Sequence, residues 1–75
     1  MKKVIKGLLY DTEKSILVYQ DTATRRQLWK TVNKTFFFTF QNGSIEPVTT
    51  EGAKEYLGLV DVEAYIKVFG DPKEA

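Results

Sequence analysis

The stretch Gln27-Leu-Trp-Lys-Thr-Val-Asn-Lys-Thr-Phe-Phe-Phe-Thr-Phe-Gln41 decides the fold of this 75-residue chain. It holds the only tryptophan and four of the five phenylalanines, and residues of this kind favour strands. Asn33 and Lys34 interrupt the apolar pattern at a point where Asn is a common turn residue. The stretch is therefore predicted to form two antiparallel strands joined by a tight turn, at the centre of a sheet.

The register of this central hairpin stays open, and it decides which aromatic side chains share a face. A two-residue loop, 33–34, would place Trp29 on the face of three phenylalanines, Phe36, Phe38 and Phe40. A three-residue loop, 32–34, would place Trp29 beside Phe37 and leave those three on the other face. Either register leaves at least one large aromatic residue on each face, so neither face is plainly polar.

Two strands are predicted before the central hairpin. Residues 3–10 are predicted to form the first, with Gly7 marking a bulge or a close backbone approach inside it. Residues 15–19 form the second, and the polar turn 11–14 joins the two into a hairpin. A polar loop without periodicity, 20–26, then leads into the central stretch.

Helices are predicted to end the chain. After an Asn42-Gly43 turn and a short strand, 44–48, that Pro47 confines to a sheet edge, Thr49 or Thr50 caps the first helix. Gly58 is predicted to stop that helix, and Asp61 to cap a second one at 62–69. The apolar side chains of the second helix form one stripe, consisting of Val62, Tyr65, Ile66 and Phe69.

This order of elements predicts an α+β fold. Two successive hairpins plus a short edge strand give an antiparallel sheet of four to five strands. The two short C-terminal helices are expected to pack on one face of that sheet. Residues 1–70 are predicted to form a single domain, and residues 71–75 a flexible tail.

The composition excludes several kinds of chemistry. The chain has no Cys and no His, so disulfides, the usual zinc sites and Ser-His or Cys-His catalysis are excluded. We expect no enzyme activity, no cofactor, no metal site and no small-molecule substrate. No apolar run approaches the length of about 18 residues that marks a membrane span, and Lys6 and Gly7 interrupt the start of a signal-like run, so a cytoplasmic location without membrane contact is expected.

Charge is distributed unevenly along the chain. Residues 1–40 carry eight basic and three acidic residues, a net +5, whereas residues 41–75 carry three basic and seven acidic residues, a net −4. A basic half of this kind suits phosphates or an acidic partner, or it is attracted to the acidic half within the same domain.

Two stretches resemble a group of small accessory proteins found on phages and other mobile elements of Gram-positive bacteria. The first runs from Ile5 to Glu13, where a strand ends in Gly-x-x-Tyr-Asp-Thr-Glu. The second is Leu28-Trp29-Lys30-Thr31, followed by a turn and Phe36-Phe37-Phe38. Where that group usually has Gly in the central turn, this chain has Lys34. The resemblance implies a small accessory protein without an established activity, and it supplies no catalytic residues.

The candidate binding residues are basic and aromatic side chains of the loop and the central hairpin: Arg25, Arg26, Trp29, Lys30, Lys34 and Phe37. Exposed aromatic residues beside Arg favour protein interfaces, which predicts a protein partner or a homodimer through the second sheet face or an edge strand. Aromatic residues ringed by basic ones also stack single-stranded bases, which is the alternative hypothesis. In a third interpretation, Trp29 and the phenylalanines are simply core.

Overall fold

The computed structural model describes all 75 residues, which form six strands, two α-helices and a short 3-10 helix, Thr12–Lys14, joined by turns. The strands and α-helices are labelled in chain order as β1 (Lys2–Ile5), β2 (Leu8–Asp11), β3 (Ile16–Gln20), β4 (Gln27–Lys30), β5 (Phe36–Thr39), β6 (Ile45–Val48), α1 (Thr50–Val60) and α2 (Val62–Phe69). Strands β3 to β6 form one antiparallel sheet in that order, while β1 and β2 form a separate two-stranded sheet. The predicted α+β fold, with two helices after the strands, is confirmed.

The central hairpin adopts the three-residue loop. Trp29 lies opposite Phe37 in the ladder between β4 and β5. The Thr31 N–H donates to the Thr35 carbonyl at 2.8 Å, which closes the loop around residues 32–34. Because opposite residues point to the same side of a sheet, Trp29 and Phe37 share one face.

The prediction for the N-terminal strands was wrong. Residues 3–10 form a hairpin of their own, because Lys6 and Gly7 make a two-residue turn with φ values of 51° and 79°. Two successive positive φ values define the type I′ turn, which matches the twist of a hairpin and favours Gly. The predicted pairing with residues 15–19 does not form, since β3 pairs with β4. The polar turn at 11–14 is present.

Each face of the four-stranded sheet carries its own buried cluster under a different cover. On one face the cluster joins sheet residues to α1 and consists of Leu28, Phe36, Phe38, Ala53 and Leu57. On the other face it joins the sheet to the N-terminal hairpin and consists of Tyr10, Phe37 and Ile45, with Ile5 and Trp29 packed against it. The molecule therefore has three layers: the β1–β2 hairpin, the sheet and the helices.

Side-chain oxygens cap both helices at their N-termini. Thr49 Oγ1 accepts from the Gly52 N–H at 3.0 Å, and Asp61 Oδ1 accepts from the Ala64 N–H at 3.2 Å, as expected for N-cap residues. Gly58 does not stop α1, which continues to Val60. A helix-interior Gly costs about 1 kcal/mol relative to Ala, so a single one does not end a helix that is packed on a sheet.

Only part of the apolar stripe predicted for α2 faces the sheet. Val62 is 56% exposed and Ile66 38% exposed. The residues that pack on the sheet cluster are Ala64, Tyr65, Val68 and Phe69. The helix is thus rotated relative to the prediction, and part of its apolar surface faces water.

Both tight turns of the central sheet end in a left-handed residue. Gly43 has a φ of 88° in the loop 41–43, where the Phe40 N–H donates to the Ser44 carbonyl at 3.1 Å. The Asn42-Gly43 turn is therefore one residue longer than the two-residue turn predicted. Lys34 occupies the equivalent position in the loop 32–34, with a φ of 64°. This left-handed conformation is unfavourable for a residue that has a Cβ.

Replacing Lys34 by Gly is expected to raise the free energy of unfolding by up to about 1 kcal/mol, because the left-handed conformation costs a non-glycine residue about 1–2 kcal/mol and the chain entropy of Gly offsets part of that gain. Urea denaturation measures the change. Lys34→Ala is the matched control, since it removes the same charge but keeps the Cβ. A Gly variant no more stable than the Ala variant would contradict this turn geometry.

Candidate functional site

Phe37 and Trp29, the two aromatic candidates, lie together beneath the N-terminal hairpin. Phe37 is completely buried, with the edge of Tyr10 5.4 Å away between ring centroids and Trp29 stacked on it at 6.3 Å. Trp29 is half-buried, and its Nε1 donates to Thr39 Oγ1 at 3.0 Å. The Thr39 hydroxyl in turn donates to Gln27 Oε1 at 3.1 Å. Phe37 therefore has no surface that a partner can contact while the hairpin is in place.

Arg26 lies on the opposite face of the sheet. Its guanidinium carbon is 5.4 Å from the centroid of Phe38, 5.5 Å from Phe40 and 5.6 Å from Tyr56. These distances allow cation–π attraction from three rings at once. Arg26 Nε is buried without a hydrogen-bond partner. Arg26 thus closes the end of the helix-side core.

Two ionisable groups near Arg26 have shifted pKa values. Burial raises the pKa of the Tyr56 hydroxyl above its ordinary value of 10.0, and the positive charge of Arg26 opposes that rise. Hydrogen bonding lowers the pKa of Asp21 below 3.8, chiefly because its carboxylate accepts from the Ala23 N–H at 2.9 Å. The first shift reflects loss of water around a phenol, and the second reflects hydrogen bonds that the charged carboxylate accepts more strongly than the neutral acid does.

The remaining three candidates occupy different places. Arg25 and Lys34 are exposed in turns, each with a left-handed backbone, at φ values of 61° and 64°. Lys30 lies on the helix side, in a groove of about 420 Å³ between β3 and α2 that also contains Lys67 and Glu63. Of the six candidates, the structure brings only Trp29 and Phe37 together. The six do not form one surface.

A surface that the sequence analysis missed lies on the N-terminal hairpin. A groove of about 360 Å³ separates β2 from the loop 32–34, and Leu8, Leu9 and Val32 are among its lining residues. These three side chains are 60%, 51% and 77% exposed, and Val4, opposite Leu9 in the ladder, is 70% exposed. Val4 and Leu9 share the outer side of the hairpin, whereas Leu8 lies on the side of Ile5 and Tyr10, at the wall of the groove. We call Val4, Leu9 and the groove with Leu8 and Val32 at its wall the hairpin face. Lys14 lines the same groove, and Lys6 and Lys34 stand exposed in the adjoining turns.

One signal in the sequence could have revealed this surface. The pair Lys6-Gly7 separates two short apolar runs and fits a two-residue turn as well as a bulge. With a turn at these two residues, only one side of the strands 2–5 and 8–11 can pack on the sheet. Some of their apolar residues must then lie on the other side, exposed to solvent.

The structure and the comparisons add three further findings. No group of three or more His, Cys, Asp or Glu residues is placed to hold a metal ion. Neither helix has the length and apolar character that crossing a membrane requires. Comparison of the chain with protein-family models, curated proteins and solved structures found no match.

Arg26→Met should raise the pKa of Tyr56 further, because it removes the positive charge that favours the phenolate but keeps a long apolar stem in place. NMR titration of the Tyr56 ring resonances measures this pKa. Because the folded-state value lies above that of the unfolded chain, the contribution of Tyr56 to stability is complete below pH 10 and is lost as the pH rises through the folded-state pKa.

Arg25→Met is the matched control for this titration. It removes the same charge from the neighbouring residue, whose side chain is exposed in the turn. It should leave the pKa of Tyr56 close to the wild-type value. An equal shift in both variants would show that the cation–π contact of Arg26 with Tyr56 is absent in solution.

Proposed function

We propose that the protein acts by binding another protein surface, that the hairpin face is its binding surface, and that a second copy of the chain occupies it. The observation that supports this most is the exposed pair Val4 and Leu9, which lie opposite each other on the outer side of the hairpin, beside the groove that Leu8 and Val32 line. Single exposed apolar residues are ordinary on a protein, but a group of them around a concave groove is typical of interaction sites.

The total surface area supports self-association. The chain exposes 5522 Å², whereas a folded monomer of 8.6 kDa exposes about 4,700 Å² by the usual scaling with mass. This excess of about 800 Å² is of the same order as one partner's share of a standard protein interface. Residues 70–75, which are exposed beyond α2, account for part of this excess. The flattened shape of the molecule, with extents of 38 × 28 × 17 Å, and the exposed apolar side chains account for the remainder.

The proposed role is that of a small non-enzymatic accessory protein in the cytoplasm, carried by a phage or mobile element. The absence of His and Cys supports a role without catalysis. The resemblance of the run from Gly7 to Glu13 supports the link to mobile elements. Two residues of this run also have structural roles in the chain. Tyr10 packs on Phe37, and the Asp11 carboxylate accepts from the Glu13 N–H at 2.9 Å.

Binding of single-stranded nucleic acid is the second proposal. It is favoured by the lysines around the hairpin face, Lys6, Lys14 and Lys34, which would attract phosphates. The burial of Phe37 counts against it, because base stacking needs an open aromatic ring. We therefore rank protein association first.

Leu9→Thr is expected to weaken self-association by at least about tenfold, the effect of losing roughly 1.4 kcal/mol of contact free energy. Thr suits a strand and replaces a side chain that is half exposed, so the fold should persist. Analytical ultracentrifugation from micromolar to millimolar concentration measures the mass. Ile16→Thr is the matched control, since Ile16 is 69% exposed on β3, outside the hairpin face.

Two results would count against the first proposal. A wild-type chain that keeps the mass of one copy at every concentration would show that a second copy does not bind. Equal weakening by Leu9→Thr and Ile16→Thr would place the contact elsewhere. Binding of a labelled single strand that falls steeply with salt and is unaffected by Leu9→Thr would instead support the second proposal.

A further inference from the structure

We propose that copies of the chain associate head to tail, with the hairpin face of one copy bound to the outer surface of the helices of the next. This inference rests on the proposed function and names the surface that the hairpin face binds. The observation behind it is a second group of exposed apolar residues on the other side of the sheet. The segment that bears this group has a net charge opposite in sign to that of the N-terminal hairpin.

The second surface lies where α1 meets α2. Leu59 is 88% exposed, and Val62 and Ile66 remain exposed on α2. A shallow cavity of about 260 Å³ between Gly58, Val62 and Tyr65 adds a concave element to this surface. We call Leu59, Val62, Ile66 and this cavity the helical face. It exists because α2 turns Ala64 and Val68, rather than Val62 and Ile66, toward the sheet.

The two segments that bear these faces carry opposite net charge. Residues 1–15 contain four basic and two acidic residues, a net +2, and Lys34 adds a further positive charge beside the groove. Residues 50–75 contain six acidic and three basic residues, a net −3. Glu55, one turn before Leu59, is exposed and lies beside Leu59 and Gly58. An apolar centre with complementary charges at its rim is the usual composition of a specific interface.

The placement of the faces determines the type of assembly. The hairpin and the helices cover opposite faces of the same sheet, so a copy whose hairpin face is occupied still presents a free helical face. Contacts between two different faces are heterologous, and they continue into a ring or a filament instead of stopping at a dimer.

The sheet edges offer a weaker route to association. β6 carries Pro47, which removes a backbone donor from that edge. β3 carries a bulge between Leu17 and Tyr19, which disrupts the regular spacing that a further strand needs. Both devices are typical of edges that do not pair with another chain. Neither edge of the four-stranded sheet is therefore proposed as the contact surface.

Complementation between two variants tests this arrangement. Val4→Thr/Leu9→Thr removes the apolar centre of the hairpin face, and Leu59→Gln/Ile66→Gln removes that of the helical face. Thr suits strands and Gln suits helices, and circular dichroism checks that each variant folds. Val62→Gln replaces the helical-face variant if that one does not fold. The readout is the mass of each chain alone and of an equimolar mixture.

We expect the mass of the wild-type chain to rise beyond two copies as the concentration increases. Each variant alone should remain close to the mass of one copy at the same concentrations. The mixture should form a complex of two chains that does not grow, because it contains one intact pair of faces. Ile16→Gln is the control and should assemble like the wild type.

The failures of the two proposals look different. A wild-type assembly that stops at two copies, or a mixture that stays monomeric, would overturn the head-to-tail arrangement while self-association stands. A wild-type chain that remains a single copy at millimolar concentration would overturn both.

Discussion

The packing of Tyr10 on Phe37 is the interaction on which the rest of the structure depends. Consecutive phenylalanines in β5 point to opposite sides of the sheet, so the chain must cover two apolar faces with 75 residues. The helices cover only one. Complete burial of Phe37 requires the N-terminal hairpin, and a hairpin of two four-residue strands is only marginally stable by itself. Sheet and hairpin therefore depend on each other.

This constraint also determines which surface is available for binding. Once the hairpin covers Phe37 and half of Trp29, the aromatic residues of the central strands belong to the interior. The hairpin has a second side, however, and nothing in the chain covers Val4 or Leu9. Apolar residues of α2 are also left exposed, because the small sheet beneath the helix does not have enough area to cover all of them. Apolar surface is left on both outer layers.

Much of the fold could be predicted from local sequence patterns. Where one stretch of sequence fits two local structures equally well, the correct one could not be predicted. Helix caps are specified within three residues: Asp61 was predicted, and Thr49 was one of two adjacent candidates for the first cap. The N-terminal turn was missed because Gly7 fits a bulge or a turn equally well. Residues 62 to 69 contain two overlapping apolar stripes, and the sequence does not say which one faces the sheet.

The candidate site was harder to predict for a related reason. Consecutive residues of a strand point to opposite faces, so Lys30 and Trp29 lie on different faces of the sheet in either register of the central hairpin. The face that Trp29 and Phe37 share is covered by Tyr10, which is far away in the sequence. The hairpin face was not predicted because it exists only when residues 3–10 form two strands.

The most direct test of this account is nuclear Overhauser contact between the ring protons of Tyr10 and Phe37. With ring centroids 5.4 Å apart, strong cross-peaks are expected, together with peaks from Phe37 to Trp29. Their presence would establish that the N-terminal hairpin covers the second face of the sheet. Absence of the Tyr10 peaks, with those from Phe37 to Trp29 retained, would mean that this face is open and that the hairpin lies elsewhere.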